Sequence, residues 1–181
     1  RGGASQIWMM NADGSGQKQV TKIATEASGV TFFPDGKRLL FLSEVYPDCS
    51  DEACNAKALK EEQEAKSKAR VYTSLLYRHW NQWSSKRRSH LMMITLETGE
   101  VKDLTPGRFD VPTFSLGGQD GYAVSPDGKQ VCYVMNGEAD QARLASAFEQ
   151  AAVDGFACTH TCLPALKVIA TGSGDRFVVN N

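Results

Sequence analysis

The chain has 181 residues, 41% of them hydrophobic, and 20 Lys and Arg stand against 21 Asp and Glu for a formal net charge of −1. That composition belongs to a folded domain rather than a disordered segment, and it lacks the concentrated basic surface that nucleic acid requires. The short basic run Lys86-Arg87-Arg88 reads as a solvated turn, and no apolar stretch approaches the ~20 residues that span a bilayer.

The first residues, Arg1-Gly2-Gly3-Ala4-Ser5, contain no hydrophobic signal core. Two expectations follow, a removed signal peptide or a start inside a longer product. From Trp8 to Thr21 the pattern is strand, a Gly-centred turn at Asp13-Gly14-Ser15-Gly16, and a short second strand. Gly14-Ser15-Gly16-Gln17-Lys18 completes no phosphate-loop or dinucleotide glycine pattern, so it is read as a hairpin turn.

Gly29 to Leu42 predicts a second hairpin around Pro34-Asp35-Gly36-Lys37. Proline presets φ for the first turn position, aspartate bonds the backbone that follows, and glycine takes the position with φ > 0. The flanking residues are β-branched, aromatic or aliphatic, as strands prefer.

Between Glu44 and Ser89 the strand pattern is interrupted. Cys49 and Cys54 flank an acidic turn with no nearby histidine, so zinc is disfavoured. A local disulfide is preferred over free thiols there, and it favours an exported protein. From Ser50 to Arg70 the sequence predicts a largely solvated helix, with Ser50 as N-cap and Ala53, Ala56 and Leu59 as a partial apolar face. Lys57 and Glu61, Glu62 and Lys66, and Glu64 and Lys68 stand four apart as candidate ion pairs. The whole insertion is placed at about 48–70.

An aromatic segment leaves this helix. Tyr77, Arg78, His79, Trp80 and Trp83 are the candidate binding residues, because Trp, Tyr and Arg dominate binding hot spots. The preferred reading is plainer: these aromatics fill an interface between sheets, and Arg78 is a structural ion-pair partner.

Leu91 to Thr105 then repeats the first hairpin, and Gly121 to Val134 repeats the second, with Pro126-Asp127-Gly128-Lys129 at its turn. Cys132 lies inside this last strand as a buried free thiol. The order of the two hairpins is the same each time, and two hairpins make the four strands of one propeller blade. The predicted fold is therefore mainly β, a partial β-propeller of about two four-stranded blades over 1–137, split by the helical insertion. Beyond it, 138–181 forms an atypical tail, with a helix expected from Asp140 to Asp154. Cys158-Thr159-His160-Thr161-Cys162 offers three soft ligands but no evident fourth, and no metal or cofactor is expected. A frame change or an unusual gene end would account for the abrupt loss of blade periodicity after about Glu138.

With these residues in view, the chain resembles the bacterial prolyl-oligopeptidase family of serine peptidases, of the dipeptidyl or acylaminoacyl type. The stretches that carry the resemblance are Phe41 to Pro47 with the cysteine pair and helix, Leu76 to Trp80, Ser89-His90-Leu91, Asp103 to Gly107 and Phe114 to Gly118. Together they extend from about Gln6 to Asn136. The resemblance implies a non-catalytic propeller cap that gates and positions small peptides for a separate α/β-hydrolase domain, in the periplasm or secreted. No Gly-x-Ser-x-Gly elbow occurs, since none of Ser5, Ser15 and Ser173 has glycine at −2 and +2 together. His79, His90 and His160 have no nucleophile at a recognisable spacing. The alternatives are a free-standing periplasmic propeller-type binding module and, less favoured, a small enzyme using the His160 cluster. Open blade edges lead to an expectation of self-association.

Overall fold

A computed structural model of the chain describes residues 4–67, 69–73, 77–79, 82–112, 121–135 and 165–170. The expected helix at Asp140 to Asp154, the Cys158 to Cys162 cluster and Trp80 lie outside the described residues. Within them the chain is mainly β, with several antiparallel sheets and one helix.

Strand β1 (Trp8–Met9) pairs antiparallel with β2 (Lys18–Gln19). The turn between them is closed by the Gly14 amide donating to the Asn11 carbonyl at 2.9 Å. Strands β3 (Ser28–Phe32) and β4 (Arg38–Val45) form the next hairpin. Its turn works as the sequence predicts: the Gly36 amide donates to the Phe33 carbonyl at 3.0 Å, and Asp35 accepts the Lys37 amide at 2.8 Å. Gly36 has φ 64, a conformation costly for residues with a Cβ.

Helix α1 (Glu52–Glu64) follows β4 and is shorter than the predicted span. Its N-cap is Asp51, one residue later than expected, and the Asp51 carboxylate accepts the Cys54 amide at 2.8 Å. The inward face also differs from the predicted one. Ala53 and Ala56 are exposed, while Asn55 is buried and accepts the Tyr46 amide at 2.8 Å. Tyr46 donates its hydroxyl to Glu62, the last inward contact of the helix. Past it, Ala65 leaves helical backbone at ψ 124, because further turns would have nothing to pack against. The Lys57 and Glu61 pair forms at 3.9 Å, joined by Lys60 and Glu64 at the same distance. Lys66 falls beyond the helix end, and Lys68 lies outside the described residues.

Strands β5 (Arg78–His79) and β6 (Gln82–Trp83) form a small hairpin. Then come β7 (Arg88–Thr95), β8 (Val101–Asp103), β9 (Tyr122–Val124), β10 (Gln130–Met135) and β11 (Ala165–Ala170). The second Pro-Asp-Gly-Lys turn, between β9 and β10, copies the first: the Gly128 amide donates to Ser125 at 2.9 Å and Asp127 accepts the Lys129 amide at 3.0 Å. Strand β11, from the segment read as an atypical tail, pairs antiparallel with β10 along six residues.

The sheets group the hairpins in a different phase from the predicted one. The four-stranded sheet runs β3-β4-β7-β8, so the Pro-Asp-Gly-Lys hairpin comes first and the Gly-centred hairpin second. Strands β1 and β2 stand as a separate pair, and β9 and β10 open the next sheet. The physical reason is the place of the insertion. Val45 and Arg88 are cross-strand partners, so the segment between them leaves and returns at one end of the sheet. A long excursion between adjacent strands costs little more than a short one, and β4 and β7 stay paired over eight residues.

Strand β4 is buried on both faces. Leu39, Leu40 and Phe41 are all fully buried, and successive side chains point to opposite sides. Leu39, Phe41 and Ile94 pack with Ile7 and Ala27 from the N-terminal segment. Leu40 and Leu91 pack on the other side with Tyr122, Val131 and Tyr133 of the β9-β10 sheet. Consecutive sheets thus stack face to face through apolar layers. The Tyr122 hydroxyl also donates to the Gly29 carbonyl across this second layer.

Candidate functional site

The candidate site is the aromatic segment that follows α1. In the hairpin, Arg78 faces Trp83 and His79 faces Gln82 in register. The Ser84 amide donates to the Tyr77 carbonyl at 2.9 Å and extends the pairing by one step. Tyr72, upstream of the hairpin, donates its hydroxyl to the Ser84 carbonyl at 3.3 Å. Two backbone-directed bonds therefore bring residues far apart in the local sequence to one place.

Three rings meet there. Tyr72 and Tyr77 have centroids 5.9 Å apart, Tyr72 and Trp83 6.1 Å, and Tyr77 and Trp83 6.2 Å. Both tyrosines lie nearly parallel to the indole, at 21° and 25°. Arg78 places its guanidinium 5.6 Å from the Trp83 ring centroid, within cation–π range. Arg70, Tyr72, Tyr77 and Trp83 line an open cradle of about 530 Å³.

Of the sequence-predicted residues, Tyr77, Arg78 and Trp83 come together, and His79 lies beside them in the hairpin backbone. Tyr77 is 47% exposed and Trp83 50% exposed, so these two line a surface among the described residues, and Trp80 lies outside them. Tyr72 and Arg70 are the residues that sequence reasoning missed. Their signal was weak, because the bond from Tyr72 to Ser84 and its ring contacts with Tyr77 and Trp83 are tertiary.

The disulfide Cys49–Cys54 closes the turn at the start of α1. Asp48, beside it, is held by Arg108 at 2.7 Å. Among the described residues no group of three His, Cys, Asp or Glu side chains is arranged to hold a metal, and no helix is long and apolar enough to cross a membrane.

The other histidine of interest is His90, which is buried in β7. Its Nδ1 lies 2.7 Å from Asp103 Oδ2 and its Nε2 lies 3.0 Å from the Gly107 carbonyl. A His–Asp pair resembles part of a catalytic triad, but the nitrogen that would take a proton from a nucleophile faces a carbonyl acceptor. Asp103 also accepts the Thr105 amide at 2.9 Å, and Thr105 accepts the Leu91 amide at 3.0 Å. The network holds the turn after β8; it is not a proton relay.

No family model matches the chain. Over 135 residues it is 28% identical to the dipeptidyl-peptidase 5 of Porphyromonas endodontalis. The match covers 72% of this chain and 18% of that protein. The chain is related to a peptidase. It also spans less than a fifth of the relative's length, so the relative's activity does not transfer to it directly.

Proposed function

We propose that the chain is a non-catalytic segment of a β-propeller that caps a serine peptidase of the prolyl-oligopeptidase family, gating and positioning small peptides for a separate α/β-hydrolase domain. The observation that carries this reading is the 135-residue similarity to a dipeptidyl-peptidase, combined with its small share of that protein. Successive antiparallel sheets stacked through apolar layers, with one turn chemistry repeated at Pro34 to Lys37 and Pro126 to Lys129, are what a propeller would use. Both ring nitrogens of the buried His90 are engaged, by Asp103 and the Gly107 carbonyl. Peptide would meet the exposed side chains of Tyr77, Arg78 and Trp83, with His79 and Trp80 as candidates from the sequence alone. The Cys49–Cys54 bridge supports export to the periplasm or beyond, where disulfides persist.

An antibody against this chain tests the reading on the exported fraction of the source cells. It should precipitate a dipeptide-releasing activity that a fluorophosphonate labels and blocks, while the 181-residue chain alone shows neither turnover nor label. Turnover by the isolated chain overturns the non-catalytic assignment. A precipitate free of labelled activity overturns the peptidase cap and leaves a free-standing binding module.

A further inference from the structure

The cradle beside Trp83 combines two chemistries. One is a set of three aromatic faces, two of them within 25° of parallel to the third. The other is the Arg70 side chain, exposed and lining the same space. The cradle is open to solvent and lined by Arg70, Tyr72, Tyr77 and Trp83.

The lining chemistry narrows the ligand. Near-parallel rings favour a flat apolar group lying against them, as offset-stacked aromatic pairs do. A quaternary ammonium would also favour aromatic faces, but Arg70 lines the space and Arg78 sits over Trp83, so a cation meets like charge. Among the described lining residues the polar head is the Arg70 guanidinium, which suits a planar group carrying a negative charge.

We infer that this cradle binds the C-terminal residue of a peptide when that residue is aromatic, its ring against Tyr72, Tyr77 and Trp83 and its carboxylate on Arg70. The inference rests on the peptide-handling role proposed above and names the class of peptide. The ring supplies buried apolar area, and the guanidinium supplies a charge-assisted pair to the carboxylate. Tyr72 is fixed for the role by its bond to Ser84, so little ordering is needed on binding. The site would hold the far end of a peptide whose amino end lies elsewhere.

The test is a calorimetric titration of the full chain with alanyl-phenylalanine, alanyl-phenylalaninamide, alanyl-alanine and adenosine monophosphate. Trp83 emission is followed in parallel. The free-acid aromatic dipeptide should bind saturably and change Trp83 emission. Amidation should weaken it about tenfold, the scale of one lost charge-assisted contact at a partly exposed site. Arg70→Gln should cost the free acid a similar factor and leave the amide unchanged. Trp83→Phe should remove the emission change while keeping most of the affinity, with the melting profile checking that the hairpin persists.

Equal binding of acid and amide, or of phenylalanine and alanine, overturns the proposal. Tighter binding of the nucleotide than of the dipeptide also overturns it, and assigns the cradle to phosphate-bearing rings. Failure here is separable from failure of the proposed function. The precipitated peptidase activity can stand while the cradle shows no preference, and the preference can stand where no peptidase activity precipitates.

Discussion

Arg38 donates from Nη2 to the Gly128 carbonyl at 3.2 Å, which ties the first Pro-Asp-Gly-Lys turn to the second across 90 residues of sequence. The same guanidinium bonds Asp35 at 2.7 Å and lies 4.3 Å from the Phe33 ring centroid. One side chain therefore braces its own turn and docks it on the next sheet. Arg38→Ala should lower unfolding stability by about 1–2 kcal/mol, since the contact is charge-assisted but partly exposed. Arg38→Lys should recover less than half of that, because an ammonium cannot span three partners. Urea unfolding at constant m-value reads both; unchanged midpoints would show that the turns are not coupled.

Gly29 and Tyr122 form the second link between these sheets, through the tyrosine hydroxyl and the glycine carbonyl. Gly29 has φ 61, and a Cβ there would collide with that hydroxyl. Gly29→Ala should cost about 2–4 kcal/mol, from clash and left-handed backbone together. Adding Tyr122→Phe removes the colliding oxygen, so the double variant should lie closer to wild type than the two single costs added. A double-mutant cycle by thermal melting measures the coupling. Strict additivity would sink the idea that the two residues touch.

These links bear on what the sequence could reveal. Both Pro-Asp-Gly-Lys turns and the fully apolar run at Leu39 to Phe41 were legible, because turn chemistry and burial are local signals. Sheet membership was not. Periodicity identifies strands but not partners, and pairing β4 with β7 across the insertion needs the Val45 and Arg88 register. The face of α1 failed for a different reason. Its inward residue is Asn55, chosen for its hydrogen bond to Tyr46, and a search for apolar stripes passes over it. In the candidate site, aromatic density pointed to Tyr77 and Trp83. Tyr72 joins them through Ser84 and through its ring contacts with Tyr77 and Trp83, contacts that no spacing rule encodes.

His90 should matter for stability and not for ligand binding. It is 1% exposed, with Asp103 and the Gly107 carbonyl on its two nitrogens. His90→Ala removes the ring's contacts with Asp103 and the Gly107 carbonyl and opens a small cavity, which should cost about 2–4 kcal/mol. Dipeptide affinity at the Trp83 cradle should stay within twofold of wild type in the variant while folded. Loss of affinity with intact folding would move His90 into the functional site.

Stability should pass through a maximum on the acid side of neutrality. Burial raises the Glu44 carboxyl above its ordinary value, against the opposing pull of Arg87, and burial likewise raises Asp110 despite the Ser89 amide. For these groups the fold binds protons more tightly than the unfolded chain, so stability grows as pH falls through their folded values. The turn aspartates behave oppositely. Ser15 bonds hold Asp13 below the ordinary carboxylate value, the Lys37 amide and Arg38 do so for Asp35, and Ser125 with the Lys129 amide does so for Asp127. Their contribution is present above the unfolded value of 3.8 and is lost as pH falls through the lower folded ones. Melting temperature against pH should rise on going down from 7 and fall below about 4. Glu44→Gln should shrink the rise and leave the acid limb alone; a monotonic fall from pH 7 in wild type would refute the assignment.

The last expectation concerns strand β3 at the edge of the four-stranded sheet. Phe32 is 54% exposed and Val30 42% exposed on β3, which is an edge strand of that sheet. Phe32 is the cross-strand partner of Leu39 and so lies on the side of the sheet that holds Leu39 and Phe41. The short β1-β2 pair adds two more exposed apolar residues nearby in sequence, Trp8 and Met10. An apolar edge strand with free backbone groups is a template for another chain, and natural edges are usually blunted by charge. The chain should therefore associate with rising concentration. Phe32→Lys should shift the sedimentation profile toward monomer at little cost in melting temperature, because the position is half solvated already. A monomeric wild type across the micromolar to millimolar range would show that this edge is protected in solution.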